Sequence, residues 1–238
     1  MKSIATRREL ACRLTPDRAL ETLDDAHAFL DDRGMLTLMP DCALPSLFGA
    51  CHEEPYSDAP GFGSWPRTKY WWAGALDALA TRLHRGKTLY LSQAVARAVD
   101  PLCRAELARA EAGELGPEAE RIVTHLADAG PSLVEELKEE AALDKKTRLR
   151  LERIGAVVSR GVVLERPHRH TSELRRWDQA VERGASADGL RELFVAGVRA
   201  AVLAPEREAL RWFTWSVTNE ALDDERLTRP EPGWIASA

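Results

Sequence analysis

PEAERIVTHLADAGPSLVEELKEEAALDKKTRLRLERIGAVVSRGVVLERPHRHTSELRRW, residues 117–177, decides the reading of the fold. Its opening segment, Pro117–Ala129, sets Ile122, Val123, Leu126 and Ala127 at helical spacing on one apolar face. Gly130-Pro131-Ser132 ends that helix. Ser132 is a candidate N-cap for the next, with Glu135 and Glu136 in its first turn. A second short helix is expected over Leu133–Leu143. Asp144 can cap a third, KKTRLRLERI, which Gly155 stops. The period then turns extended in AVVSRGVVLE, a turn-like ERPH follows, and RHTSEL reads as a second, polar strand. Three helices and a basic hairpin predict a winged helix-turn-helix, a shape that lays one helix in a DNA groove and a wing on the backbone.

Charge is distributed to match. Lys145–Arg176 carries ten Lys/Arg against three Glu, with His168 and His170 besides. Cys103–Glu140 reverses the balance, with ten acids against four bases. The chain as a whole has a net charge of -5, which excludes a general polyanion binder. A local basic face still suits phosphate contacts, which are themselves local. Lys145, Lys146, Arg148 and Arg150 on the third helix, and Arg166, His168 and Arg169 at the hairpin tip, are therefore DNA-binding candidates. The same cations also fit the solvated face of an ordinary helix.

At 238 residues and 45% hydrophobic, the chain can bury one to three small cores. No apolar run approaches the ~20 residues that span a bilayer, and MKSIATRREL lacks the apolar region of a secretion signal. Cys12, Cys42, Cys51 and Cys103 have no paired spacing, so reduced thiols in a cytoplasmic protein are expected. Cys51-His52-Glu53-Glu54, with Cys42 nearby, matches no common zinc pattern. Neither metal nor cofactor is expected.

Outward from the central stretch the same alternation returns. Thr15-Pro16-Asp17 can open a helix to Asp32, stopped by Gly34, and Met35–Met39 (MLTLM) reads as a short strand. Leu44–Cys51 suggests a helical turn or two, 52–66 an irregular connection, and Lys69–Ala80 a helix. Arg82–Ser92 predicts a hairpin turning at Arg85-Gly86-Lys87, after which Ser92 caps another helix. Leu190–Leu203, a short helix from Pro205, Ser216–Asp223 and a final hairpin turning at Pro230–Gly233 repeat the pattern. The expected fold is mainly α with short β-hairpins, in tandem winged helix-turn-helix modules at 1–103, 104–182 and 183–238. No residue-level repeat accompanies the architectural one.

The helix followed by RGMLTLMP, the central unit and the closing LTRPEPGWI together resemble the alkylpurine and crosslink-repair DNA glycosylases, the AlkZ/YcaQ-like group. The likeness is greatest to small members described as glycosylase-related. It implies a tandem winged-helix fold and hydrolysis of an N-glycosidic bond in damaged duplex DNA. It also implies a Gln–apolar–Gln or Gln–apolar–Asp triplet on the strand after the first helix, which activates water. The matching positions here are Thr37-Leu38-Met39, so that triplet is absent. A threonine hydroxyl can hold water but is no base near neutral pH.

Thr37 therefore stands as a weak catalytic candidate. Glu53 and Glu54 are alternative carboxylates, which also fit a solvated helix end. Trp65, Tyr70, Trp71 and Trp72 surround Arg67 and Lys69, a composition that can stack an extruded base or fill a core. Arg85 and Lys87 flank a glycine at a hairpin tip, where cations reach phosphates, though a plain surface turn has the same composition. Three functions stay open. One is a DNA-binding protein of base-damage recognition, with glycosylase activity undecided. The second is a winged-helix transcription regulator, and the third a protein-interaction module. Double-stranded DNA, damaged duplex included, is the expected partner of a monomeric chain without membrane contact.

Overall fold

Three times along the chain a helix runs into a short strand, then helical turns, then an antiparallel hairpin. The computed structural model describes residues 2–56, 63–165 and 168–238. After α1 (Lys2–Ala11), the first unit is α2 (Leu23–Arg33), β1 (Met35–Thr37), α3 (Trp72–Ala75), β2 (Leu79–His84) and β3 (Lys87–Leu91). Helix α4 (Gln93–Glu111) leads to the second unit: α5 (Pro117–Ala129), β4 (Ser132–Leu133), α6 (Val134–Glu140), α7 (Lys145–Arg153), β5 (Val157–Glu165) and β6 (His168–Arg176). After α8 (Trp177–Ala180) the third comprises α9 (Gly189–Ala201), β7 (Leu203–Pro205), α10 (Glu206–Ala209), a 3-10 turn at Asn219–Asp223, β8 (Leu227–Thr228) and β9 (Trp234–Ser237). Each sheet has the same order: its third strand lies between its first and second, as β1-β3-β2, β4-β6-β5 and β7-β9-β8.

Over the described residues the fold is mixed α and β, 46% helical and 19% strand, which corrects the expectation of a mainly α chain. The central hairpin accounts for much of the difference. Val157 pairs with Arg176 and the ladder continues to Glu165 opposite His168, because β-branched and aliphatic residues in VVSRGVVLE favour a pleated surface.

Capping chemistry explains where helices begin. Asp144 accepts from the amides of Lys146 (2.6 Å) and Thr147 (3.0 Å), and Ser92 Oγ accepts from the Val95 amide at 3.4 Å. Gly34 ends α2 at φ 81°, a left-handed turn its missing side chain permits. Other boundaries differ from expectation. Thr22, not Thr15, starts α2, through a reciprocal cap with Asp25. Pro16–Arg18 is only a 3-10 turn. Ser132 sits on β4 with its hydroxyl donating to the Gly130 carbonyl, and Glu136 reaches back to the Leu133 amide instead. The expected helix over Lys69–Ala80 is confined to Trp72–Ala75, because Leu79 and Ala80 pair with β3.

Three apolar clusters form the interior. One is local to the first unit, around Leu20, Phe29, Leu36, Trp72 and Tyr90. A second is drawn wholly from Leu107–Leu174. The third joins the first and last units: Leu83, Leu89 and Leu91 meet Val99 and Cys103 of α4 and Phe194, Val198 and Trp212. Helix α4 runs unbroken through the expected division at 103/104. Among the described residues no helix is long and apolar enough to cross a membrane.

Asp224, 2% exposed, anchors the third unit by accepting from Arg226 (2.9 Å) and Arg191 (2.5 Å). The Arg226 guanidinium holds its carboxyl far below the ordinary value against the opposing push of burial, with the Arg226 amide and Arg191 adding to the effect. A carboxyl depressed on folding contributes stability that is fully present above its unfolded pKa of about 3.9 and is lost as pH falls toward the folded value. Melting temperature should therefore drop on acidification below about pH 5, and Asp224→Asn should show a shallower drop than the parent. Parallel melting curves from pH 7 to 3 in both proteins would refute this.

Candidate functional site

The turn of the first hairpin lies beside elements of both other units. Arg85 (φ 54°) and Gly86 (φ 88°) both take the left-handed conformation of a tight two-residue hairpin turn. A Cβ on Gly86 would lie 3.3 Å from Cδ and Nε of Arg153, so the last residue of α7 packs over the tip. Beside the tip is a cavity of about 580 Å³, lined by Asp41, His84, Arg85 and Lys87 and, from α10 and the turn after it, Arg207, Glu208, Arg211 and Trp212.

Its acids are engaged. Asp41 pairs with Lys87. Glu208 Oε1 accepts from the Ala43 amide (2.5 Å) and from Trp212 Nε1 (3.0 Å). Among the described residues, Arg85, Arg153, Arg207 and Arg211 are exposed and none of them enters an ion pair. Exposed guanidinium groups without carboxylate partners are suited to bidentate phosphate contacts. Sequence reasoning singled out Arg85 and Lys87. It passed over Arg153, one base among several in KKTRLRLERI, and Arg207 and Arg211, whose spacing with neighbouring acids in PEREALRW looks like an ordinary solvated helix.

The α7 cations divide. Lys145 and Lys146 are exposed. Arg148 Nε donates to Glu152 Oε1 at 3.2 Å, and Glu152, 2% exposed, has its other oxygen 3.1 Å from Arg82 Nε. Arg150 Nη1 donates to the Leu115 carbonyl at 2.7 Å. Arg148 thus braces α7 through Glu152, whereas Arg150 stays exposed with one bond to a carbonyl. Glu152, a buried carboxylate between two arginines, was missed because its sequence context is a plain amphipathic helix. Arg166 lies outside the described residues, as do the side chains of His168 and Arg169; their backbones pair with Glu165 and Leu164.

The weak catalytic candidates are occupied by structural bonds. Thr37 is 1% exposed, and its hydroxyl donates to the carbonyls of Met39 (2.9 Å) and Pro45 (3.3 Å). Glu53 accepts from the Thr68 amide (3.0 Å) and hydroxyl (2.7 Å) and lies 3.3 Å from Lys69 Nζ. Burial pushes its carboxyl up, but the Thr68 and Lys69 bonds outweigh that and hold it below the usual range. A carboxylate held ionised by such donors is a poor proton acceptor. Glu54 is exposed beside Arg67 at 3.3 Å.

The aromatic group also separates. Trp72 is buried, with Lys69 Nζ 5.4 Å from its ring centroid. Trp65 packs on Phe48, centroids 5.6 Å apart. Tyr70 and Trp71 are exposed, and Tyr56, not singled out from the sequence, is exposed with its ring 4.8 Å from that of Tyr70. None of these, nor Thr37, lines the basic cavity.

No family model, curated protein or solved structure matches the chain.

Proposed function

We propose that the three units are winged helices in tandem and that the chain binds duplex DNA through the cations gathered at the Arg85–Gly86 tip. The carrying observation is the convergence there of unpaired arginines from all three units: Arg85, Arg153, and Arg207 with Arg211. Support for the winged-helix reading comes from the threefold recurrence of one strand order. Lys145 and Lys146 at the start of α7 extend the surface available to phosphates. The activity is binding related to base-damage recognition, in keeping with the resemblance to glycosylase-related proteins. Hydrolysis by the family's route is not part of the proposal, because the Thr37 hydroxyl already serves two carbonyls.

Fluorescence anisotropy of a labelled duplex, titrated across salt, tests this. Affinity should fall steeply with ionic strength, as each neutralised phosphate contributes about 0.9 to the log–log slope. Arg207→Ala/Arg211→Ala should lower that slope by roughly 1–2 and weaken binding across all sequences. Lys138→Ala, exposed on α6, should change neither. Indifference to DNA at low salt would leave the protein-interaction reading standing. Preference for an undamaged palindrome, bound as a dimer, would favour a regulator.

A further inference from the structure

The basic cavity also holds three donors of another kind. A carboxylate oxygen of Asp41, the Cys42 sulfur and a ring nitrogen of His84 lie within 4.8 Å of one another. Asp41 and Cys42 follow β1, and His84 ends β2, so the first sheet brings together residues far apart in sequence. Among the described residues no other group of three such side chains is this close. His84 is 5% exposed, with the Trp212 backbone beside its imidazole. Its Nε2 stands 3.8 Å from Asp41 Oδ1, beyond hydrogen-bonding range. A ring nitrogen, a carboxylate oxygen and a sulfur converging at this distance match the donor types and spacing that a metal ion draws together.

We propose that Asp41, Cys42 and His84 form a site for a divalent metal ion of the zinc class, with a coordination position open to the basic cavity.

One oxygen, one sulfur and one nitrogen make a borderline donor set, which suits zinc over the hard cations magnesium and calcium. Ligands at about 2.0–2.3 Å from a tetrahedral ion stand roughly 3.5 Å apart, so side-chain rotations of the order of 1 Å close the site. The charges balance. A dication with one carboxylate, one thiolate and a neutral imidazole sums to zero, and the thiol proton leaves to solvent. Exchanging the thiol proton for the dication raises the local charge by one, which an anion drawn to the open position offsets. Lys87, now paired with Asp41, would exchange that partner for the cavity. Three protein ligands leave the fourth position for water or an anionic oxygen, and Arg85, Arg207 and Arg211 favour the anion. Cys12, Cys51 and Cys103 provide internal controls, being buried and outside the cluster.

The site is independent of DNA binding, and its test uses no nucleic acid. The full chain is exposed to zinc or cobalt(II) at micromolar concentration, passed through gel filtration and assayed for metal and absorbance. About one equivalent should be retained. The cobalt form should show a thiolate-to-metal band and the intense visible absorption of four-coordinate cobalt. Cys42→Ser should abolish the thiolate band and weaken retention at least about tenfold, and Cys51→Ser should leave both intact. Melting with and without chelator separates a lost ligand from a lost fold. Parent and Cys42→Ser should melt alike in chelator, and zinc should raise only the parent. Where His84→Ala does not fold, Cys42→Ser alone decides. No retained metal in the parent, equal retention in Cys42→Ser, or a cobalt spectrum without the thiolate band would overturn the proposal.

Discussion

Replacing Asp100 with alanine is expected to destabilise the protein by about 3–5 kcal/mol, the scale seen when one partner of a buried ion pair is removed. Asp100 is 1% exposed on α4 and accepts four bonds. Arg104 Nε reaches both of its oxygens at 2.8 and 2.9 Å, Trp177 Nε1 donates at 2.8 Å, and the Gly184 amide at 2.9 Å. Truncation strands a guanidinium, an indole N–H and an amide at once. Trp177 is fully buried at the end of the central hairpin, so the loss falls where the second unit joins α4. Asp100→Asn keeps the shape but turns an NH2 group toward one donor, and should fall between parent and alanine. Urea unfolding at pH 7 measures this. A loss below 1 kcal/mol for the alanine variant would mean that water or rearrangement satisfies the three donors.

Gly184→Ala should be as severe for a different reason. A Cβ at this position would lie 1.8 Å from the Arg97 carbonyl oxygen and 2.8 Å from its carbon. The obstacle is the backbone of α4 itself, which no side-chain rotation can clear. Either the 183–186 loop lifts away, breaking the amide bond to Asp100, or the helix bends. Overpacking of this kind costs about 1–3 kcal/mol where side chains can yield, and more is expected against main chain. Because both variants disrupt the same amide–carboxylate contact, their effects should sum to less than additive in a double-mutant cycle. Full additivity would show that the clash is relieved without disturbing Asp100. Gly130→Ala, where a Cβ meets nothing within 4 Å, is a counterpart that strains only a φ of 81°.

Much of the architecture was legible where punctuation is local. Asp144, Ser92, Gly34 and the Arg85-Gly86 turn each act through bonds or dihedrals within a few residues, and strand, helix and hairpin followed from them. The failures share a cause. Leu79 and Ala80 follow a helix-forming aromatic run, yet they pair with β3, and tertiary pairing overrides local propensity. Ser132 had the right residue type for a cap, but the chain there is already extended against β6. The candidate site was harder. Arg85 and Lys87 were visible as a basic tip, whereas Arg207 and Arg211 count only because α9 and the shared interior bring α10 beside it. Arg148 looked identical to Lys145 on paper. Only burial of Glu152 distinguishes a bracing arginine from a free one.

The shared interior sets an order for synthesis. The central cluster is complete within Leu107–Leu174, so that segment can condense as soon as it clears the ribosome. The inner face of the first hairpin, Leu83, Leu89 and Leu91, finds its partners Phe194, Val198 and Trp212 only after more than a hundred further residues have been made. Until then a nascent chain has only α4 to cover part of that apolar sheet face, a period in which a chaperone is better placed than the chain itself to cover the rest.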